Sequence, residues 1–240
     1  MEFAKRSDSR LKNTLKKLYF VPNATLNTAA AANMKRFGQL LTGKESPAVL
    51  NIGSGSRFLG GSRLASGAVR LVNLDIARLA AVDVVGDAQR LPFADEVFDG
   101  IVCQAALEHV PRPQQVVGEM LRVLRRGGIV YVEVPFLQGY HPTPGDFLRF
   151  TRDGLELLLN DFSRLDSGVC TGPASTASWV AREFLSGLLC GFSDNRGIRR
   201  VTVFLAGWLT FPIKYLDLIF ARRRGAGAIA SGVYFLGAKK

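Results

Sequence analysis

Short apolar runs alternate with longer amphipathic ones through the middle of this chain, and that alternation predicts most of its elements. Residues 48–52, Ala-Val-Leu-Asn-Ile, read as a buried strand that breaks into a turn holding Gly53 and Gly55. Residues 69–75 read as a second strand ending in Asp75, 82–85 as a short third and 98–103 as a fourth. The helix expected over 113–125 carries Val116, Val117, Met120, Leu121 and Leu124 on one face and stops at Gly127-Gly128. A fifth strand at 129–134 is apolar except for Glu133, and an amphipathic helix at 151–160 leads to a sixth strand at 162–171. An antiparallel seventh strand is expected at 232–237. Strands alternating with helices imply an α/β fold, a mostly parallel seven-stranded sheet with helices on both faces.

Composition narrows the partners. The 240 residues include 31 Lys and Arg against 20 Asp and Glu, a net charge of +11. Such an excess points to nucleic acid, anionic lipid or a phosphorylated substrate, unless it only reflects a basic proteome. With 48% hydrophobic residues, wholesale disorder is excluded. Cys103, Cys170 and Cys190 show no CxxC or other metal spacing, so free thiols in a reducing compartment, and no metal, are expected. Basic residues near the N-terminus are followed by no apolar signal region, which predicts a cytoplasmic location, with the inner face of the membrane an option. In the same extension, residues 1–47, Leu11, Leu15 and Leu18 among lysines and arginines suit a short amphipathic helix. It either packs on the domain or lies on a membrane surface. A second, alanine-rich helix is expected at 27–41.

The glycine turn brings in chemistry. Gly53 and Gly55 let the backbone turn tightly and lie against a ligand, and the amides of such a turn suit a nucleotide or a carboxylate. Asp75 stands 22 residues after Gly53, a separation that brings a carboxylate to the end of the neighbouring strand, within reach of ribose hydroxyls. A helix cap or a solvated strand end is the alternative. Together, residues 49–55, Asp75, Gly86-Asp87-Ala88, Leu91-Pro92-Phe93, Phe98-Asp99, Leu107-Glu108-His109-Val110 and 121–128 resemble the successive motifs of class I S-adenosylmethionine-dependent methyltransferases, the type 11 branch above all. The resemblance spans about residues 48–136 and implies a Rossmann-like fold with S-adenosylmethionine as cofactor. It implies that Gly53 and Gly55 hold the methionine part, Asp75 the ribose, and Asp87 with Ala88 the adenine, while His109 belongs to the cofactor shell near the sulfonium. Asn51 stands where the family usually has an acid and can still accept a hydrogen bond from the methionine ammonium, without charge. Arg57 replaces a frequent third glycine and either pairs with the methionine carboxylate or points to solvent. Phe58 occupies the place where a dinucleotide motif needs its last glycine.

A second informative stretch follows the fifth strand, where open α/β sheets bind ligands. Its His-Pro-x-Pro-x-Asp-Phe-x-Arg-Phe-Thr pattern, 141–151, resembles one found in type 11 methyltransferases of glycan and natural-product pathways. His141 and Asp146 are then candidates to take a proton from an acceptor hydroxyl, with Arg149 holding an anionic group. The other reading is a rigid proline loop that an Asp–Arg pair holds in shape. The resemblance thus implies methylation of a hydroxyl on a sugar or lipid-linked intermediate. An RNA or other nucleic-acid methyltransferase is favoured by the charge, but Cys103-Gln104-Ala105-Ala106 lacks the Asn/Asp-Pro-Pro-aromatic motif that holds a flipped base amine. A non-catalytic, membrane-associated protein on a degenerate fold is motivated by Asn51 and Arg57.

The chain divides into the extension, a core at 48–172, a helical insert at 173–228 before the last strand, and that strand within 229–240. Strands six and seven are separated by 60 residues, far more than a hairpin needs. A helix is expected at 175–189 and a polar turn at 193–197. Then comes a nearly all-apolar run at 201–221, flanked by Arg199-Arg200 and Arg222-Arg223-Arg224. Its length would span a bilayer, but a span would put the seventh strand across the membrane from its sheet. Pro212 predicts two short helices instead, whose apolar faces cover the acceptor site or dip into an anionic membrane surface. Lys214 and Asp217, three apart, are expected to pair on one helix face.

Overall fold

The computed structural model describes residues 20–55, 69–142, 145–193 and 195–240; the expected helix around Leu11, Leu15 and Leu18, and Arg57 and Phe58, lie outside them. Seven strands form one sheet: β1 Ala48–Ile52, β2 Arg70–Asp75, β3 Val84–Val85, β4 Phe98–Gln104, β5 Leu124–Pro135, β6 Phe162–Thr171 and β7 Gly232–Lys239. Their order across the sheet is β3-β2-β1-β4-β5-β7-β6, with β7 antiparallel to both neighbours and the remaining pairs parallel. The C-terminal strand therefore inserts between β5 and β6, as the expected antiparallel partner of the sixth strand.

Side chains alternate across a strand, so a strand buried on both faces needs apolar residues at every position. Leu50, Ile52, Ile101, Cys103, Val130 and Val132 pack on one face with Val116, Val117, Met120 and Val123 of α2 (Pro113–Val123). Val49, Val102 and Tyr131 turn to the other face and meet Met34, Phe37 and Leu41 from α1 (Ala30–Leu40) and the residue after it. The α1 helix starts later than the alanine content predicts because the Asn27 side chain accepts from the Ala29 and Ala30 amides, at 3.2 and 2.8 Å, and holds that turn outside the helix. The polar exception in β5, Glu133, is buried and satisfied: it accepts from Asn27 at 3.0 Å, from Gln104 at 2.7 Å and from the Tyr131 hydroxyl. After β5, helix α3 (Arg152–Leu158) begins at Thr151, whose hydroxyl accepts from the Gly154 amide at 3.0 Å.

The insert consists of α4 (Pro173–Cys190), α5 (Arg196–Thr210), a 3-10 turn over Phe211–Leu216 and the short α6 (Asp217–Phe220). The break at Pro212 falls where expected, but the packing is inverted relative to the core. The buried positions of α4 and α5 are mostly small or polar: Ser175, Ser178, Ser186, Thr202, Ala206 and Thr210. Ser186 and Thr202 share a hydrogen bond of 2.8 Å across the two helices, and the Ser178 hydroxyl donates to the Thr210 carbonyl at 3.0 Å. Large apolar side chains point outward, Leu209 being 72% and Leu218 68% exposed.

The expected Lys214–Asp217 pair is corrected by this arrangement. Both side chains turn inward, to different partners. Lys214 donates to the Asn23 carbonyl at 2.6 Å, whereas Asp217, 1% exposed, accepts from the Ala174 and Ser175 amides at 2.8 Å each and so caps α4. The helix N-terminus offers unpaired amides that suit a carboxylate better than a neighbouring ammonium does.

Candidate functional site

At the C-terminal ends of β1, β2 and β4 the chain leaves the sheet through tight turns. Gly53 has φ +68°, and a Cβ there would lie 2.5 Å from Ala106 Cβ, so only glycine fits. Gly55 also has positive φ, but open space lies where its side chain would be. Asp75, at the end of β2, accepts from the Gly55 amide at 2.8 Å and from the Ala77 amide at 2.9 Å, so it fixes the glycine turn as well as facing the cleft. A cleft of about 570 Å³ opens here, and Gly53, Gly55, Asp75, Asp87, Ala88 and His109 all line it. Ile76 and Leu79 complete its wall. Asn51 stands apart from this lining. Its side-chain amide donates to Asn73 Oδ1 at 3.0 Å across the β1–β2 register, on the strand face it shares with Val49.

The loop after β5 packs against the same end of the sheet. The Phe147 amide donates to the Glu108 carbonyl at 2.8 Å, and the Phe150 amide to the Pro135 carbonyl at 3.1 Å. Within the loop, Asp146 and Arg149 are turned to each other. Arg149 donates to both Asp146 oxygens and to the carbonyls of Gln138, Gly139 and Leu148. Those bonds engage every N–H of a guanidinium. Hydrogen bonds from Arg149 hold the Asp146 carboxyl well below the usual carboxylate range despite its burial, and the His141 amide donates to it at 2.8 Å. This geometry has the Asp146–Arg149 pair shaping the loop rather than meeting an acceptor.

His141 is different. Its Nδ1–H donates to the Gly139 carbonyl at 2.7 Å, and the Nδ1–H of His109 donates to the Gly145 carbonyl. A carbonyl only accepts, which fixes both tautomers and leaves both Nε2 atoms as acceptors. These atoms stand 3.9 and 3.8 Å from Oε1 of Glu108, a residue with 0% exposure. The nearby carboxylate raises His141 above the usual imidazole range, against the effect of burial. Trp179 of α4 stands behind, its ring 6.0 Å from that of His141. A Cβ on Gly139 would overlap that indole, so the loop glycine is what admits the tryptophan. The sequence pattern gives Glu108 no separate role, although an acid beside a histidine in the otherwise apolar stretch 105–110 marks it.

Residues 50–132 match the family model of a methyltransferase domain, Methyltransf_11. Over these residues the core is similar to a methyltransferase domain. Demethylmenaquinone methyltransferase of Renibacterium salmoninarum is 41% identical to it over 64 residues, 27% of this chain and 25% of the relative. Phosphatidylethanolamine N-methyltransferase of Cereibacter sphaeroides is 43% identical over 56 residues, 23% of this chain and 28% of the relative. The match thus spans about a quarter of the length of these curated relatives. Phosphoethanolamine N-methyltransferase 2 of Haemonchus contortus, solved in complex with S-adenosyl-L-methionine, shares the fold at TM-score 0.55 and 17% identity, over 88% of this chain and 52% of that one.

The cleft of the core fits S-adenosylmethionine, the cofactor bound in the Haemonchus contortus structure. Gly55 leaves room for close approach, Asp75 and Asp87 offer acceptors, and Ile76, Leu79 and Ala88 offer an apolar wall for a base.

Proposed function

We propose that this protein methylates a hydroxyl of a lipid or lipid-linked sugar, using S-adenosylmethionine, while resting on an anionic membrane surface. When bound, the cofactor supplies an electrophilic methyl group that is transferred by direct displacement. Gly53, Gly55, Asp75, Asp87 and Ala88 bind and orient it. His109 borders both the cleft and the cluster with Glu108 and His141, so the cluster stands where an acceptor would meet the methyl group. There its acceptor atoms ease loss of the hydroxyl proton, and alignment supplies most of the rest.

The observation that carries the choice of acceptor is the double role of α4. One side of the helix sets Trp179 against the His141 loop, while Phe184, Leu188 and Leu189 on it are exposed beside the exposed residues of α5 and α6. Polar and small residues between helices with large apolar ones outside is the packing expected in contact with lipid. Arg222, Arg223 and Arg224 follow directly and line a hollow of about 770 Å³ with Arg152, which suits anionic headgroups. The demethylmenaquinone and phosphatidylethanolamine named for the two relatives are themselves membrane lipids, which supports the same class.

The test is transfer of labelled methyl from S-adenosylmethionine into extracted lipid, glycan and RNA fractions. Label in the lipid fraction, dependent on His141, is the expected result. Label confined to RNA would replace this reading with the nucleic-acid one, and S-adenosylhomocysteine failing to bind in calorimetry would leave a non-catalytic protein.

A further inference from the structure

With both histidines neutral, three hydrogen-bond acceptors converge at Glu108, His109 and His141, and among the described residues no other group donates to them there. Both imidazoles have committed Nδ1–H to a backbone carbonyl, so each turns an Nε2 lone pair inward. Between them stands the Glu108 carboxylate, 0% exposed, and among the described residues neither of its oxygens has a hydrogen-bond partner. A buried carboxylate without partners is costly, and two facing lone pairs make it worse. Separations of 3.8 and 3.9 Å are too long for hydrogen bonds. Ligands about 2.1 Å from one metal in a tetrahedral site stand about 3.4 Å apart, so these separations would shorten by roughly half an ångström to share an ion.

We propose that Glu108, His109 and His141 bind one divalent transition-metal ion, Zn²⁺ by the chemistry of the ligands, beside the methionine end of the cofactor cleft. The three ligand atoms already lie within 4.8 Å of one another, so binding the ion would draw them together by a small movement of the turn and the loop. Two imidazoles and a carboxylate suit Zn²⁺ and leave a position open for an oxygen ligand. Carbonyl acceptors on both outer Nδ1–H groups are the usual support of metal-binding histidines. The 3-10 turn at Leu107–His109 supplies two ligands and the loop after β5 the third, so the ion would also tie that loop to the sheet. With their lone pairs on the ion, these residues would not take the proton themselves; an acceptor hydroxyl in the open position would be made more acidic and give its proton to solvent, which deepens the reading given under Proposed function and rests on it.

The experiment is calorimetric titration of the metal-stripped full chain with Zn²⁺, and with Co²⁺ followed by visible absorption, with S-adenosylhomocysteine titrated in parallel. One ion per chain is expected, with affinity reduced roughly 10–100-fold or more in Glu108→Gln and in His141→Ala, since even supporting residues at such sites carry that much. His109→Gln, which keeps a polar side chain on a part-exposed residue, guards against a folding defect in the other two. Absence of Zn²⁺ binding at about 100 µM, far weaker than resident zinc sites, overturns the proposal. Binding undiminished in all three variants overturns it too. S-adenosylhomocysteine binding without Zn²⁺ binding would remove the metal and leave the methyltransferase reading standing, whereas the reverse would do the opposite.

Discussion

The core sheet and the helical insert are built from equally apolar sequence and solve opposite problems. In the core, Ile101 and Leu50 are wholly buried, between helices and neighbouring strands, and large apolar side chains fill the interior around a few buried acids, Asp99, Glu108 and Glu133. In the insert, Asp217 and Lys214 are buried and leucines lie outside. Each buried leucine-sized side chain stabilises a fold in water by about 1.5–3 kcal/mol, so a chain that forgoes this along two helices is not optimised for water on that side. The difference teaches that similar hydropathy can bury its large apolar side chains or leave them exposed, and that the small and polar residues between α4 and α5 go with the second outcome.

The largest effect should come from the core. Ile101→Ala would open a cavity in the middle of β4 and lower stability by about 2–5 kcal/mol in chemical denaturation. A loss below 1 kcal/mol would mean that the sheet is not the cooperative unit described here.

Next in size is the cofactor cleft. Asp75→Ala should weaken S-adenosylhomocysteine binding by about 1.5–3 kcal/mol, the value of a hydrogen bond to a charged group, or one to two orders of magnitude in Kd. Asp75 also holds the Gly55 amide, so Asp75→Asn serves as a milder second variant and should lie between the two. An unchanged dissociation constant would remove Asp75 from the ribose.

Asp217→Ala separates the two regions. Its carboxylate accepts from the first amides of α4, so losing it should cost roughly 0.5–2 kcal/mol, felt in the insert rather than the sheet. Hydrogen exchange should quicken in α4 and α5 while β1, β4 and β5 keep their protection. Uniform loss of protection would show that insert and core unfold as one.

The sheet was legible because strands buried on both faces leave continuous apolar runs, and the helix break at Pro212 acts locally; the stop expected at Gly127-Gly128 is corrected, since the chain turns extended at Leu124 and both glycines lie within β5. Less legible were features decided by distant partners. Nothing near Asp217 in sequence shows that its carboxylate will meet the amides of Ala174 and Ser175. The glycine turn, Asp75 and Asp87 line one cleft because each ends a strand, and strand ends converge on one edge of the sheet. Asn51 instead lies inside β1, where its side chain turns to the opposite face from Leu50 and Ile52 and donates to Asn73. Glu108 and His141 come from different turns, and only the folded loop shows that they face each other.

The smallest effect on stability is expected at the outward face, and it bears most directly on the comparison. Leu209 and Leu218 are 72% and 68% exposed, so replacing both with serine removes little packing. Surface changes of this kind usually move stability by no more than about 0.5 kcal/mol. Flotation with vesicles containing anionic lipid should nevertheless change. Arginine attraction weakens with salt, because screening shortens from about 10 Å at 0.1 M to about 3 Å at 1 M, whereas apolar insertion persists. Wild-type protein should therefore bind strongly at low salt and keep part of its binding at high salt. The double variant should lose the salt-resistant part alone. Arg222→Gln with Arg223→Gln should lose mainly the salt-sensitive part, since these residues contribute charge and little apolar area. Wild-type protein that stays with the soluble fraction at low salt would show that this face meets no lipid. A double variant destabilised by about 2 kcal/mol or more would place the same leucines in a packed interface, since only buried side chains carry costs of that size.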